Sequence, residues 1–327
     1  MKVIAITPDR KHDCICNMII DGFNDLDYTV IASDPGNNVI SSYSDEEIID
    51  HARDADLIFA FWGKVRGNRS PKYYLLDRIN RPEITVYIDG SEWTATGYPD
   101  GDRVISAPWG NVNSQVYEAK FNPRRCKGNP WINKKMLEYC NFYFKRECYS
   151  EDIDLGIFPL NIGCQNKNFG NIEKDKDIDV FCSFGQLGNG YRYEIDNFCK
   201  QLKKEGYRVE IKSGLTYDSY LDHISRSYIS VSSWGAGNSC QRQWENMANK
   251  SCCFVQTPEI EVIFKPKDNI HCIYYKNMIE FESKIRKMLN NKQKCIEIGN
   301  SGFEFVKKYH TGAARVSYIL DKIGYRK

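Results

Sequence analysis

Residues Asn238-Ser-Cys-Gln-Arg-Gln-Trp-Glu-Asn-Met-Ala-Asn249 lie between two short apolar runs, Tyr228-Ile-Ser-Val-Ser-Ser233 and Cys252-Cys-Phe-Val255. Apolar runs this short, bounded by turn residues, read as buried strands, and the segment between them reads as a helix. Cys240, Trp244, Met247 and Ala248 recur at i, i+4, i+7 and i+8 and share one helical face. Arg242 and Glu245, three apart, fall on the other side. The turn Trp234-Gly-Ala-Gly237 leads into a helix expected to open with Asn238 and Ser239, an arrangement suited to holding an anion. The plainer alternative is that Arg242 and Glu245 form a surface ion pair worth less than about 1 kcal/mol.

Outward from this segment, strand and helix signals alternate along the chain. In the first half, strands are expected at Val3–Ile6, Thr29–Ala32, Leu57–Phe61 and Ile84–Ile88. Between them lie helix signals from Cys14 to Phe23, from the capping box Ser44-Asp-Glu-Glu47 through Ala52, and from Pro71 to Ile79. Residues 93–131 read as long loops, with a strand-like run at Val104–Ala107. Asn141–Lys145 and Gly156–Leu160 bring the chain toward a break, and Cys164–Asp177 is lysine-rich and polar, a linker by composition. The second half offers strands at Asp179–Phe184, Tyr207–Ile211, Tyr228–Ser233, Cys252–Val255 and Ile270–Tyr274. Helices striped by Ile195, Phe198, Cys199 and Leu202, by Met278 to Leu289, and through Tyr309 and Ile323 complete it. The expected fold is α/β: two doubly wound, Rossmann-like domains with parallel sheets, facing a cleft. The expected boundaries are 1–163, a linker at 164–177, and 178–327, with the final helix able to cross back to the first domain.

Bulk properties narrow the function. The 327 residues exceed what one core usually serves, and 42% hydrophobic content excludes global disorder. A formal net charge of +2 supplies no basic field for a nucleic-acid backbone, so no nucleic-acid partner is expected. Thirteen cysteines, without a Cys-x-x-Cys pair and mostly inside apolar runs, read as small buried hydrophobes in a reducing, cytoplasmic compartment. No run approaches a membrane span. Lys134-Lys135 and Lys145-Arg146 flank aromatic residues at 139–144, a pattern suggesting peripheral contact with an anionic membrane.

Phe184-Gly-Gln-Leu-Gly-Asn-Gly-Tyr-Arg192 follows one expected strand and precedes a helix. Gly185, Gly188 and Gly190 permit close backbone approach, and Arg192 stands at the positive end of the helix dipole. The spacing is not the dinucleotide fingerprint G-x-G-x-x-G. Three neighbouring strand ends would then contribute Gly185 and Arg192, the Ser213-Gly214 turn, and Asn238, Ser239, Arg242 and Glu245.

The second half resembles the carboxyl-terminal domain of two-domain (GT-B) glycosyltransferases, in particular the CgeB-like branch of glycosyl transferases group 1. The resemblance covers roughly residues 178–323. It rests on the strand Phe181–Phe184 with Gly185 and Arg192, and on Arg242-Gln-Trp-Glu-Asn-Met-Ala-Asn-Lys250 before the strand Cys252–Val255. It implies that Glu245 holds the ribose of a nucleotide-sugar donor and that Arg242 lies near its diphosphate. Two positions depart from the pattern: the family glycine is Lys250 here, and an E-x7-E arrangement would need a glutamate where Gly237 stands.

Such a resemblance implies a glycosyltransferase that passes a sugar from a nucleotide sugar to a glycan, lipid-linked or protein acceptor. GT-B enzymes commonly neutralise the leaving diphosphate with cations and helix dipoles, so neither a cofactor nor a catalytic metal is expected. Asp152-Ile-Asp154 has the spelling of a metal motif but stands beside the proposed crossover. Candidate bases for the acceptor hydroxyl follow strands of the first half: Asp89 and Glu92 first, then His12, with Asp9 and Asp13 beside it. Two alternatives stay open: a nucleotide-sugar epimerase on the same architecture, and a clamp that binds nucleotide or glycan without chemistry.

Overall fold

The computed structural model describes residues 1–8, 14–34, 43–62, 72–90, 136–185, 187, 191–235 and 237–325. Expectations at Asp9, His12, Asp13, Glu92, Val104–Ala107, Lys134, Lys135, Gly188 and Gly190 lie outside them. The chain divides into two compact units. One comprises Met1–Ile162, Ile260–Ile263 and Gly312–Lys327; the other comprises Gly163–Glu259 and Phe264–Thr311.

The first unit is built on β1 (Lys2–Ile6), β2 (Thr29–Ala32), β3 (Leu57–Phe61), β4 (Thr85–Asp89), β5 (Phe142–Lys145) and β6 (Ile157–Pro159). These form one parallel sheet in the order β2-β1-β3-β4-β5-β6. Every residue of β3 and β4 is buried, as a sheet covered on both faces requires. The sequence alone marks four of these six strands. Asn141–Lys145 and Gly156–Leu160, which by sequence only lead toward a break, supply the fifth and sixth. Their apolar runs are three or four residues long, too short to show a period. Around the sheet lie α1 (Cys14–Asp25), α2 (Asp45–Ala52), α3 (Tyr74–Ile79), α4 (Met136–Tyr139) and α5 (Ser150–Ile153). The capping box forms as read: Ser44 Oγ accepts from the Glu47 amide at 3.3 Å, and Glu47 Oε2 accepts from the Ser44 amide at 2.7 Å.

The second unit contains β7 (Ile178–Cys182), α6 (Arg192–Lys204), β8 (Val209–Ile211), α7 (Tyr217–Ser225), β9 (Ser227–Ser232), α8 (Gln241–Ala248), β10 (Cys252–Gln256), β11 (Ile273–Tyr275), α9 (Met278–Leu289) and α10 (Lys292–Tyr309). Its parallel sheet runs β11-β10-β9-β7-β8. The order reverses between β7 and β9, which makes that pair of strands the topological switch point. In open α/β sheets ligands bind just beyond the carboxyl ends of such strands. The lysine-rich stretch 164–177 belongs to this unit. Asn168 is wholly buried, the Gly170 amide donates to Asn249 Oδ1 at 2.8 Å, and Lys176 Nζ donates to the carbonyls of Ser225 and Ser227. The last strand starts at Ile273 rather than Ile270, because a turn with Asn269 at φ 59° precedes it and leaves Ile270 half exposed.

The final helix, α11 (Gly312–Lys322), packs on α1 within the first unit. The two helices meet at glycines: a Cβ on Gly22 would stand 2.2 Å from the Gly312 carbonyl carbon. Arg315, wholly buried, anchors α11 by donating to the carbonyls of Asn161 and Ile162, each at 3.2 Å. Because backbone faces backbone at the glycines, no side chain can yield. Gly22→Ala is therefore expected to destabilise the protein by about 1–3 kcal/mol, read as a lower midpoint in urea unfolding. An unchanged midpoint would show that the helices separate freely.

Two of the four cations in the proposed membrane rim are not at the surface. Lys145 is wholly buried and pairs with Asp152 at 2.9 Å, and Arg146 is buried beside Glu147. Parallel strand pairing carries β5 through the sheet interior, so its terminal charges are paired inside instead of solvated. The membrane contact expected from that pattern is accordingly not supported. The same pairing commits the Asp152 carboxylate, the first acid of the Asp152-Ile-Asp154 spelling. Among the described residues no helix is long and apolar enough to cross a membrane.

Candidate functional site

At the switch point of the second unit, Phe184 follows the end of β7, and Ser233 and Trp234 follow the end of β9. Phe184 is buried, and its ring carries two guanidinium groups: Arg192 with its central carbon 5.4 Å from the centroid, and Arg242 at 5.1 Å. Cations over an aromatic face are attracted by its quadrupole, so the ring seats two like charges close together. Arg192 occupies the first turn of α6, where the helix already concentrates positive potential. Gly235 admits it: a Cβ there would stand 3.2 Å from Arg192 Nη2. The Arg242 Nε–H is buried with no acceptor among the described residues. A place with converging cations and a donor awaiting an acceptor is suited to an anion.

The turn after β9 is fixed from the neighbouring strand. Gln256 Oε1, at the end of β10, accepts from Ser233 Oγ at 2.7 Å and from the Trp234 amide at 3.1 Å. The Tyr191 amide donates to Ser233 Oγ at 3.3 Å, joining the start of α6 to the same turn. Gly185 and the Ser213-Gly214 turn are exposed, with open space where a Cβ would point. Gly214 has φ 68°, a left-handed conformation that favours glycine.

The helix expected across residues 238–249 differs from its sequence pattern in two respects. It starts at Gln241 with Cys240 as its cap, so Asn238 and Ser239 precede it instead of opening it. Both are buried, and Asn238 Oδ1 accepts from the Glu259 amide at 2.9 Å, tying down the segment after β10. The helix is also buried on nearly every side. Trp244 has no exposure and stacks on His310 with centroids 3.9 Å apart, while Gln243, Glu245 and Asn246 are buried as well. A two-sided amphipathic pattern is therefore only half of its environment.

Glu245 does not pair with Arg242. Its Oε1 accepts from Tyr217 Oη at 2.9 Å and its Oε2 from Tyr220 Oη at 3.0 Å. Burial pushes its carboxyl above the usual range, and the two hydroxyls and the Arg242 charge pull it back in part. The surface ion-pair reading thus fails: one member reaches over Phe184 and the other is enclosed by phenols. Phe184, Tyr217, Tyr220 and Gln256 were not singled out from sequence. The tyrosine spacing of i, i+3 at the start of α7 was the one signal available.

In the first unit, Asp89 closes β4. It is wholly buried, and Tyr143 Oη donates to its Oδ2 at 2.8 Å. Among the described residues no three His, Cys, Asp or Glu side chains gather as a metal would need. All twelve described cysteines are free thiols, ten of them buried.

Residues 171–321 match the family model described as glycosyl transferase-like. No curated protein matches the chain by sequence. Solved structures with the same fold include an alpha-glucosyltransferase in complex with UDP and DNA, at 10% identity and TM-score 0.59, covering 99% of each chain. HepE of Anabaena, in complex with UDP, matches at 10% identity and TM-score 0.54 over 100% of each chain. Sucrose-phosphate synthase of Thermosynechococcus elongatus matches at 9% identity and TM-score 0.53 over 98% of this chain and 97% of that one. At these identities the likeness is one of fold. Residues 171–321 thus form a glycosyl transferase-like domain, in a chain with the two-sheet GT-B fold of glycosyltransferases.

Proposed function

We propose that the protein transfers a sugar from a nucleotide-sugar donor to a glycan, lipid-linked or protein acceptor, without a catalytic metal. The observation that carries this reading is the convergence of Arg192 and Arg242 on Phe184 at the switch point of the matched domain. When the bond from sugar to phosphate breaks, negative charge grows on the departing diphosphate, and fixed cations in a partly desolvated site stabilise it. Exposed Gly185 and the Ser213-Gly214 turn flank the same strand ends, and Asn238 and Ser239 shape the approach to α8. Glu245 is assigned to the ribose hydroxyls. UDP in the alpha-glucosyltransferase and HepE complexes makes uridine nucleotides the first donors to try.

The deciding experiment is a thermal-shift screen of UDP, GDP, ADP and their sugars, followed by assay for donor hydrolysis. A ligand bound only by the folded state raises the melting temperature. UDP is expected to do so, and Glu245→Ala to weaken its affinity about tenfold or more, as loss of a hydrogen-bonded charge would. Unchanged affinity in that variant would refute the ribose assignment. Gly237, where an E-x7-E arrangement would have its first glutamate, favours one rival, a clamp without chemistry. Such a clamp would show the melting shift and release no sugar. An epimerase would convert the donor with no acceptor present.

A further inference from the structure

The geometry points to Tyr217 and Tyr220 as positioning residues that hold the Glu245 carboxylate for recognition of a ribose diol. The inference rests on the donor-site reading above and adds the two residues that would give that carboxylate its aim. An ionised carboxylate has about four acceptor positions on its two oxygens. Tyr217 takes one on Oε1 and Tyr220 one on Oε2, at 2.9 and 3.0 Å. Each oxygen is thus held once, rotation about the carboxylate bond is fixed, and one further acceptor position per oxygen remains. Two acceptor positions on adjacent oxygens suit two vicinal hydroxyls.

The donors are themselves fixed. Asn168 Nδ2 donates to Tyr217 Oη at 2.5 Å, which commits the single Tyr217 proton to Glu245. Asn249 Nδ2 donates to the Asn168 carbonyl at 2.9 Å and to the Glu245 carbonyl at 2.8 Å, tying Asn168 to α8. Thr216 caps α7 by accepting from the Ser219 amide at 3.3 Å, and Tyr220 packs on Phe181 of β7 with centroids 5.9 Å apart. Tyr217 stays 38% exposed, so the network reaches solvent on that side. The donors are also neutral. A guanidinium in their place would cancel the carboxylate charge, and that charge makes hydrogen bonds to incoming hydroxyls strong. Arg242, three residues away, reaches over Phe184 instead.

The test titrates the full chain with UDP and with 2′-deoxy-UDP by calorimetry. The variants are Tyr217→Phe, Tyr220→Phe, the double variant and Glu245→Gln. Wild type is expected to prefer UDP by about tenfold, the worth of one hydrogen bond to a charged group. The double variant is expected to bind both nucleotides within about threefold of each other, with each single variant between. Tyrosines that merely satisfy a buried carboxylate would lower the melting temperature, or weaken both ligands alike, and leave the preference at its wild-type value. That result in the double variant overturns the inference while Glu245→Gln still abolishes the preference. If Glu245→Gln preserves the preference too, or wild type shows none, the ribose assignment itself fails and this inference falls with it.

Discussion

Arg192→Ala and Arg242→Ala should each lower kcat/KM for the donor by about 10²-fold, and the double variant by 10³-fold or more. Both guanidinium groups lie over one ring at the switch point, so both would act on the same growing charge. Neighbours that share a partner do not add independently. The double loss should therefore differ from the product of the single losses, and the size of that difference measures their coupling. Lysine is a poor substitute at either position, since it offers a point charge where a delocalised, multi-donor cation lies over Phe184. Arg242→Lys is expected to recover less than a tenth of the lost rate. The measurement is initial rate of UDP release against donor concentration, with the melting temperature recorded for each variant. If both alanine variants keep kcat/KM within threefold of wild type, the diphosphate does not lie at this ring.

Much of this site is legible before any coordinates. The apolar runs that became β7, β9 and β10 have the length and composition of buried parallel strands, and the helices between them show a 3.6-residue period. Arg192 and Arg242 follow from their places after strand ends. Other features depend on contacts distant in sequence. Phe184 looks like the last residue of an apolar strand, and only the sheet order makes it the seat of two cations. The Glu245 partners lie 25 and 28 residues earlier, and no local pattern joins them. Strands β5 and β6 are too short for periodicity and form because β4 offers an edge to pair with. Lys250 shows how a departure from a family pattern can keep the geometry behind it. The position that holds glycine in the resembled pattern has φ 55°, the left-handed conformation glycine accepts freely. Lysine holds it with its ammonium 3.2 Å from Glu173 and over the Phe303 ring. A Cβ on Gly299 would lie 2.3 Å from the Lys250 carbonyl oxygen, so α10 packs against this turn and keeps its shape.

Asp89→Asn should leave UDP affinity within about twofold and lower sugar transfer by about 10² to 10⁴, the range ascribed to a lost general base. Asp89 is the acceptor-side carboxylate that the proposed mechanism can place on described residues, Glu92 and His12 lying outside them. It ends β4 at the carboxyl edge of the first sheet, where ligands of such sheets bind. Asp89 is wholly buried, and the Tyr143 hydroxyl bound to Oδ2 holds the carboxylate in one orientation. Tyr143→Phe removes that donor and should lower sugar transfer by about tenfold with UDP affinity unchanged, because the carboxylate loses the bond that fixes its direction. A purely structural Asp89 would instead lower the melting temperature of both variants and leave transfer by the folded protein unchanged. Transfer within threefold of wild type in a folded Asp89→Asn protein would remove Asp89 from the mechanism. The base would then have to be sought at Glu92 or His12, by the same substitution and the same two measurements.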